Sequence, residues 1–582
     1  MRSTFSGLEL SKRALQAQQT ALNTTGHNIA NANSAGYTRQ LVNLQPTTPL
    51  TLSNMGRNLT VGTGSYVATI ERARDIFVDR QFRWETSKQQ YWLARETTLS
   101  KIEGILNEPT NNTLSNDLTN FWNAWSDLAK SPENLGARAV VVERAAILAD
   151  TFHNLDQQLA EIQRSLDSNV RVQINQINIY AKQIQELNIQ IKRAEVAGDN
   201  PNDLRDKRDA LVDELSEIVN VRVVESRDTT FKDREVNIYK LYIGDDNTLD
   251  QILVDDTMYY QLKEPAAAGP DDLPFAEVIW GEGHPLAGKK VELGETLGQL
   301  KANLLLRGSN YDLQTGESKD NAYIAYIRNQ FDELAKKIVE IVNAIHSQGI
   351  NRDGDLTPPN FFIGDEAANI RVNPDIINDP WKIATGEKYF GDGAIAQKIS
   401  ALSSGWASTS NIYLKDKNGN NLLMLMDPAT GAPVQDASGE WFVSDPANGH
   451  FLIKTYDKDP NLIGYYNPED GTFVPGSTSP GSNYIAVAFA PEFLPATSFG
   501  DFYNGAIAEL GVDIQQATRM RGGQDVLVNQ MYNQRQSDIG VSLDEEMTNL
   551  IRFQKAYAAA ARVVTVLDDM LDKIVNGMGI TR

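Results

Sequence analysis

The sequence contains no cysteine, so neither a disulfide framework nor a thiolate metal site can form within it. Histidine is scarce too. His27, His153, His284, His346 and His450 lie far apart, and none has a second histidine at ligand spacing, so each reads as an ordinary surface or core residue. Positive charge is in deficit: 54 Lys plus Arg stand against 76 Asp plus Glu, a net charge of −22. Such a surface repels nucleic acid and anionic membranes, so neither is expected as a partner. No apolar run approaches the roughly 20 residues of a membrane span, and the first residues lack the apolar stretch of a cleaved signal. Composition by itself therefore points to a cytoplasmic chain.

Motifs for chemistry are also missing. The run Gly283-His284-Pro285-Leu286-Ala287-Gly288-Lys289-Lys290 nearly spells a phosphate-binding loop. However, Lys290 stands where Ser or Thr must hold magnesium, and Pro285 removes an amide from the cradle. Gly391-Asp392-Gly393-Ala394-Ile395-Ala396 has dinucleotide-type spacing without a strand before it, and reads as a loop. Asp416, Asn418, Asn420 and Asp427 imitate part of a calcium loop, but its Gly is displaced and its closing Glu is absent, which favours a hairpin turn. Carboxylates are plentiful, yet spacing alone singles out no acid/base pair. The expectation is a chain with no catalytic residues, no cofactor and no metal.

What is present is apolar patterning. At 582 residues with 41% apolar content, the chain exceeds the roughly 250–300 residues at which single cores stop growing, so several domains are expected. Steps of four and three from Leu543 reach Met547, Leu550, Gln554, Tyr557, Ala561, Val564, Asp568, Leu571, Val575 and Met578, with only Gln554 and Asp568 polar. That is a coiled-coil seam. Ser542 and Glu545 form a capping box at its start. At the opposite end Leu8, Leu15, Leu22 and Ile29 recur every seven residues, while polar Ser11, Gln18 and Thr25 fill the companion lane. This helix is weak alone and needs a partner. Periodicity equally fits an ordinary intramolecular pair closing one domain.

After the first seam comes Asn28-Ile29-Ala30-Asn31-Ala32-Asn33-Ser34-Ala35-Gly36-Tyr37-Thr38-Arg39-Gln40, where Asn33 and Gly36 tolerate left-handed backbone and end the helix. Together with Leu543-Asp544-Glu545-Glu546-Met547 and Gln554-Lys555-Ala556-Tyr557, this run resembles the terminal signatures of the axial proteins of the bacterial flagellum. The segment Pro201-Asn202-Asp203-Leu204-Arg205-Asp206-Lys207-Arg208-Asp209 narrows the resemblance to the hook-associated protein 1 family, the hook–filament junction proteins. The one departure is Lys207, where that family usually has Gln. The charges of this segment read as a solvated helix face.

The remaining chain is expected to be helical over 71–106, over a long rod from 135 past 194 with a stutter at Leu166, over 297–348 and over 499–536. Phe121, Trp122 and Trp125 mark a short aromatic helix. Residues 47–64 read as an extended linker with a hairpin. Strand periodicity occupies 221–288, whereas 349–405 mixes loops with short helices. Residues 412–489 hold short apolar runs separated by Asn418-Gly419, Ser438-Gly439 and Asn448-Gly449 turns, as in a small sandwich or barrel.

The expected fold class is multidomain α plus β: terminal coiled-coil helices and a long helical bundle, with outer β domains inserted in the middle. The domains would be 1–60 with 541–582 for terminal assembly; 61–217, 291–348 and 499–540 for the bundle; 218–290 with 349–410 as a β-rich outer domain; and 411–498 as a small inserted all-β domain. The expected subunit contacts are Leu8, Leu15, Leu22, Ile29, Leu543, Met547, Leu550, Tyr557, Val564, Leu571 and Val575.

The resemblance implies a structural adaptor, not an enzyme. It implies a ring of copies between the hook protein on one side and the next junction protein and filament on the other. It further implies an export chaperone on the C-terminal helix, and secretion through the flagellar type III channel to an extracellular site. The alternatives are another axial hook or rod protein, or a filament-borne adhesin or hydrolytic module in the inserted β domain.

Overall fold

The computed structural model describes residues 6–573 apart from 35, 55–56, 107–113, 232–233, 245–249, 265–276, 295–296, 309–321, 353–357, 390, 405–412, 416–420, 425–441, 446–449, 457–461, 467–472 and 476–497. In chain order the elements begin with α1 (Ser6–Asn31), β1 (Gln40–Pro46), β2 (Leu50–Asn54), β3 (Arg57–Val61), β4 (Ser65–Arg72), α2 (Ile76–Leu106), α3 (Leu114–Lys130), α4 (Leu135–Ala197) and α5 (Asn202–Ile218). Then come β5 (Val221–Arg227), β6 (Asn237–Ile243), β7 (Ile252–Asp255), β8 (Met258–Tyr259), β9 (Leu262–Lys263), β10 (Ile279–Trp280), α6 (Gln299–Arg307) and α7 (Tyr323–His346). The rest is β11 (Phe362–Ile363), β12 (Arg371–Val372), α8 (Pro374–Asn378), α9 (Ala394–Ala401), six strands β13 (Tyr413–Lys415), β14 (Asn421–Met424), β15 (Phe442–Asp445), β16 (His450–Tyr456), β17 (Leu462–Tyr466) and β18 (Phe473–Pro475), then α10 (Phe499–Ile539) and α11 (Leu543–Asp572).

The fold is helical with inserted β regions, and its residues form two compact units. One holds 1–96, 166–305 and 517–582, the other 97–165 and 306–516. In the first unit β1 and β4 pair antiparallel, and β2 and β3 form the hairpin between them. Because β4 continues through Arg72, the helix expected from residue 71 starts at Ile76 instead. β5 to β8 make a four-stranded antiparallel meander.

This sheet is not a domain apart from the helices. Val170, Ile174, Ile177 and Ile184 of α4 and Val212 and Leu215 of α5 share one buried core with Tyr239, Leu241, Val254 and Trp280. A change of period marks where strands begin, but burial decides what they pack on. The near phosphate loop at 283–290 is a turn plugged by an imidazole. His284 stacks on Trp280 with ring centroids 3.9 Å apart, accepts a hydrogen bond from Leu286 N at Nδ1 and lies 3.1 Å from Ile252 O through Nε2.

In the second unit, α3 buries Phe121, Trp122 and Trp125, and the Phe121 ring lies 5.7 Å from that of Phe362 and 6.3 Å from that of Phe361. α7 buries an apolar stripe that includes Ile327, Phe331, Leu334, Ile338, Val342 and Ile345. The continuous helix expected over 297–348 is two helices, α6 and α7, with residues 309–321 between them outside the described ones.

The 349–410 stretch is not β-rich: it carries the two-residue pair β11 and β12 with short helices. It also falls in the second unit while 218–290 falls in the first. The Gly391 to Ala396 match opens α9, where Gly393 is left-handed at φ 64° and Asp392 carboxylate oxygens accept from the amides of Glu387, Lys388 and Ala394.

Strands β13 to β18 follow one another in a single antiparallel sheet, a meander where a sandwich or barrel was expected. The hairpin turns at Asn418-Gly419, Ser438-Gly439 and Asn448-Gly449, and the calcium-like Asp416, Asn418, Asn420 and Asp427, lie outside the described residues.

Candidate subunit interface and its buried charge cluster

α1 and α11 lie against each other and run antiparallel. Gly7 meets Leu567 near one end, and Asn28 meets Glu546 at the other. Three heptads separate Gly7 from Asn28, and three separate Glu546 from Leu567, so one register holds along the pair. The lane of α1 facing α11 is therefore Gly7, Ala14, Ala21 and Asn28. Ala21, Asn28 and the neighbouring Ser11 and Thr25 are fully buried.

The leucine lane runs beside this one. Leu8, Leu15, Leu22 and Ile29 are only half-buried, because a lane of small side chains lets two helices approach closely and pushes bulkier residues to its flank. On α11, Leu550, Val564 and Leu571 are half-buried, while Leu543, Met547 and Tyr557 are exposed. Val575 lies outside the described residues.

Local sequence explains the entry to α11. The Ser542 hydroxyl oxygen accepts from Glu545 N, capping the helix start. Glu545 does not reach back as a capping box requires. Its carboxylate pairs instead with Arg39 Nη1 at 2.8 Å. On the other strand of the connection, α1 ends at Asn31, and Gly36 takes φ 75°. Asn33 does not take the left-handed backbone, since Asp256 is the one non-glycine with positive φ among the described residues.

At the end of this helix pair the three signature segments converge. Asn28 Oδ1 accepts from the Tyr37 hydroxyl at 2.7 Å and from Gln40 N at 3.0 Å, while Nδ2 donates to Gln40 O at 2.9 Å and to Glu546 Oε2 at 3.2 Å. Arg39 Nε lies 2.8 Å from Glu546 Oε1, and Arg39 N donates to Ile539 O. The middle segment joins them. Gln40 Nε2 donates to Asp203 Oδ1 at 2.9 Å, Thr38 N donates to Asp206 Oδ2 at 3.0 Å, and the Asn202 amide donates to Ile70 O at 2.9 Å. Burial, then the charges of Asp203, Asp206 and Glu546, drive the Tyr37 hydroxyl far above its ordinary range, so it remains a donor.

One turn deeper, α5 presents Asp206, Asp209 and Asp213 along one face. Arg72 bridges Asp206 at 2.9 Å and Asp209 at 2.7 Å, and Arg74 reaches Asp209 at 3.0 Å and also pairs with Asp79. Arg83 pairs with Asp213 at 2.6 Å, and Arg535 of α10 reaches Asp213 at 2.6 Å and Asp79 at 2.8 Å. Burial works against the charge on Asp209. The guanidinium groups of Arg74, Arg72, Arg83 and Arg208 outweigh it and hold the carboxyl well below the usual range. Arg208 itself lies over the Tyr239 ring at 3.7 Å and donates to Asn188 at 3.1 Å.

The solvated helix face expected for this segment is thus a buried ionic lattice, with Asp206, Arg208 and Asp209 all buried. The available signal was geometric: Asp206, Asp209 and Asp213 share a lane at helical spacing, and Arg72 and Arg74 share a face at strand spacing. Among the described residues, no group of three or more His, Asp or Glu side chains is placed to hold a metal.

Comparison with known proteins gives matches at both helices and between them. A family model described as the flagellar hook-associated protein FlgK helical domain matches residues 99–362. One for flagella basal body rod protein matches 8–38, and one for the flagellar basal body rod FlgEFG protein C-terminal region matches 533–577. Flagellar hook-associated protein 1 of Bacillus subtilis (strain 168) is 30% identical over 591 residues, covering 100% of this chain and 99% of the relative. The Escherichia coli (strain K12) protein of that name is 29% identical over 587 residues, covering 97% and 98%. That of Salmonella typhimurium is 28% identical over 580 residues, with the same coverage. A solved structure of the flagellar hook junction protein FlgK from Burkholderia pseudomallei aligns at 18% identity with a TM-score of 0.47, covering 80% of this chain and 100% of that one.

Proposed function

We propose, from the premise that this chain belongs to the flagellar hook-associated protein 1 family, that its paired terminal helices join one copy to the next. The chain is a structural protein of the bacterial flagellum, at the junction of hook and filament. One observation carries the proposal for the helices. α11 already lies on α1 along one side, yet its other sides leave Met547, Ile551, Val566 and Met570 about half-exposed, at 50%, 52%, 50% and 55%.

Apolar side chains turned away from α1 gain stabilisation only when a partner covers them. Fully burying each such side chain is worth roughly 1.5–3 kcal/mol. A lone subunit leaves that stabilisation unused, and neighbouring copies supply it. Leu543, Met547 and Tyr557 are the expected sites that face neighbours, whereas Leu550, Val564 and Leu571 sit closer to α1.

The rest of the proposal rests on membership of the family. Copies form a ring, with hook protein on one side and the next junction protein and filament on the other. Before export a chaperone covers the C-terminal helix, since an apolar face left open invites aggregation, and the assembled protein works outside the cell. The proposal assigns the chain no reaction.

The test is attachment of purified chain to isolated hook ends, followed by electron microscopy. A Met547→Asp/Val566→Asp double variant is expected to lose attachment while its melting temperature stays within a few degrees. Normal attachment by that variant would overturn the proposal.

A further inference from the structure

The α1–α11 contact lane is small and repetitive. Gly7, Ala14 and Ala21 recur at seven residues on α1, and on α11 Ala556, Ala560 and Ala561 are partly buried. In the observed alignment Ala14 meets Ala560, and a one-heptad slip sets Ala21 on Ala560 instead, so the alanines by themselves do not distinguish these two staggers.

One position breaks the repeat. Asn28 is buried, and all four of its hydrogen-bonding places are filled: Tyr37 and Gln40 donate to Oδ1, and Nδ2 donates to Gln40 O and Glu546 Oε2. Its partner Glu546 is itself buried and receives Arg39 at its other oxygen. We infer that Asn28 and Glu546 are the register-determining pair of the terminal helices. They fix the single stagger at which α11 meets α1, and with it which side chains of α11 face outward.

The physical reason lies in the alternatives. A slip of one heptad in one direction sets Ala21 against Glu546, leaving a buried carboxylate beside a methyl group and removing the donor that Asn28 supplies. The opposite slip sets Phe553 against Asn28, leaving Nδ2 without its acceptor on α11. Both leave buried polar groups unsatisfied, which only the observed stagger avoids. The surrounding loop adds preorganisation: Tyr37 and Gln40 hold the Asn28 amide plane fixed before Glu546 arrives. A single buried asparagine that selects a stagger at the expense of stability is a device that apolar seams need whenever their repeat is ambiguous.

Because the chain lacks cysteine, engineered pairs report the stagger directly. The pair Ala14→Cys/Ala560→Cys is in register by the observed alignment, and Ala21→Cys/Ala560→Cys is in register only after a one-heptad slip. In the otherwise unchanged chain the first pair is expected to close its disulfide under mild oxidation at least tenfold faster than the second. Adding Asn28→Ala, or separately Glu546→Ala, is expected to reduce that ratio to within a factor of about three.

Thr24→Ala removes a different buried polar group of α1, a hydroxyl that bonds only within its own helix to Thr20 O. It is expected to leave the ratio unchanged even if it lowers stability. An unchanged ratio in both Asn28→Ala and Glu546→Ala, or an equal loss in Thr24→Ala, would overturn the inference. Each result concerns pairing inside one chain, so it stands or falls independently of hook attachment.

Discussion

Arg39 and Glu546, 507 positions apart in the chain, form an ion pair with Nε 2.8 Å from Oε1, and Glu546 is only 2% exposed. Arg39 stands just past α1 and Glu546 in the first turn of α11, so this one contact ties the two chain ends together where the helices begin to pair. Removing the guanidinium strands a buried carboxylate, which typically costs about 3–5 kcal/mol. Arg39→Ala is therefore expected to speed amide exchange in α1 and α11 by about a hundredfold to a few thousandfold, since every 1.4 kcal/mol is about tenfold. Exchange in α3 and α7 should not change. Mass spectrometry of exchanged peptides checks this, and uniform protection in the variant would refute it.

Asp209 gathers Arg72, Arg74 and Arg83 in a buried setting. Asp209→Asn leaves three guanidinium groups facing one another with less countercharge, and a loss of about 3–5 kcal/mol is expected in urea unfolding. The exposed pair Asp127 and Lys130 on α3 supplies the contrast, and Asp127→Asn should change stability by less than about 0.5 kcal/mol. Comparable losses from both substitutions would mean that burial is not what gives the lattice its weight.

His346 is fully buried at the end of α7, and its Nε2 accepts from Ala384 N at 2.9 Å, which requires the neutral ring. Burial pushes its pKa down to about 3. The folded pKa lies below the ordinary value near 6.5, so the unfolded chain binds the proton first as pH falls. Stability is then present above about pH 6.5 and declines by about 1.4 kcal/mol per pH unit below it, down to about pH 3. Urea unfolding at pH 7, 6, 5 and 4, followed by tryptophan fluorescence, should show this slope. His346→Gln should flatten it, and an equal slope in that variant would exclude His346 as its source.

Gly393 is needed where it stands. It is left-handed, and an added Cβ would lie 2.5 Å from Ala129 O at the end of α3. Gly393→Ala combines backbone strain with that clash, for an expected loss of about 2 kcal/mol or more. Gly522 and Gly523 on α10 face open space. Replacing either by Ala should stabilise the helix by up to about 1 kcal/mol. Thermal melts of the three variants test the contrast, and a stabilised Gly393→Ala would contradict the geometry.

An assembly interface on the chain ends predicts a difference between free and assembled states. In dilute monomer, amides of α11 are expected to exchange faster than those of α7, whose apolar stripe is already buried. On hooks, α11 should become at least as protected as α7. Full protection of α11 in the monomer would remove the need for neighbouring copies.

Sequence alone settled what depends on local chemistry and spacing. The absence of cysteine ruled out thiolate chemistry, the heptads at both ends announced paired helices, Ser542 marked where the second of them starts, and the terminal and middle signatures gave the family. Each of these is a property of a few neighbouring residues. Tertiary structure decided what depends on which distant groups meet. It set Gly7, Ala14, Ala21 and Asn28, not the leucines beside them, against α11, because close approach favours small side chains over greasy ones. It turned the Asp206 and Asp209 face, with half-buried Asp213, from a supposedly wetted one into an ionic lattice, because its arginines come from β4, the loop after it, α2 and α10. It also packed residues 218–290 onto α4 and α5 in one core. Spacing reveals which residues share a face, but whether water or a counter-charge covers that face is fixed only when the chain folds.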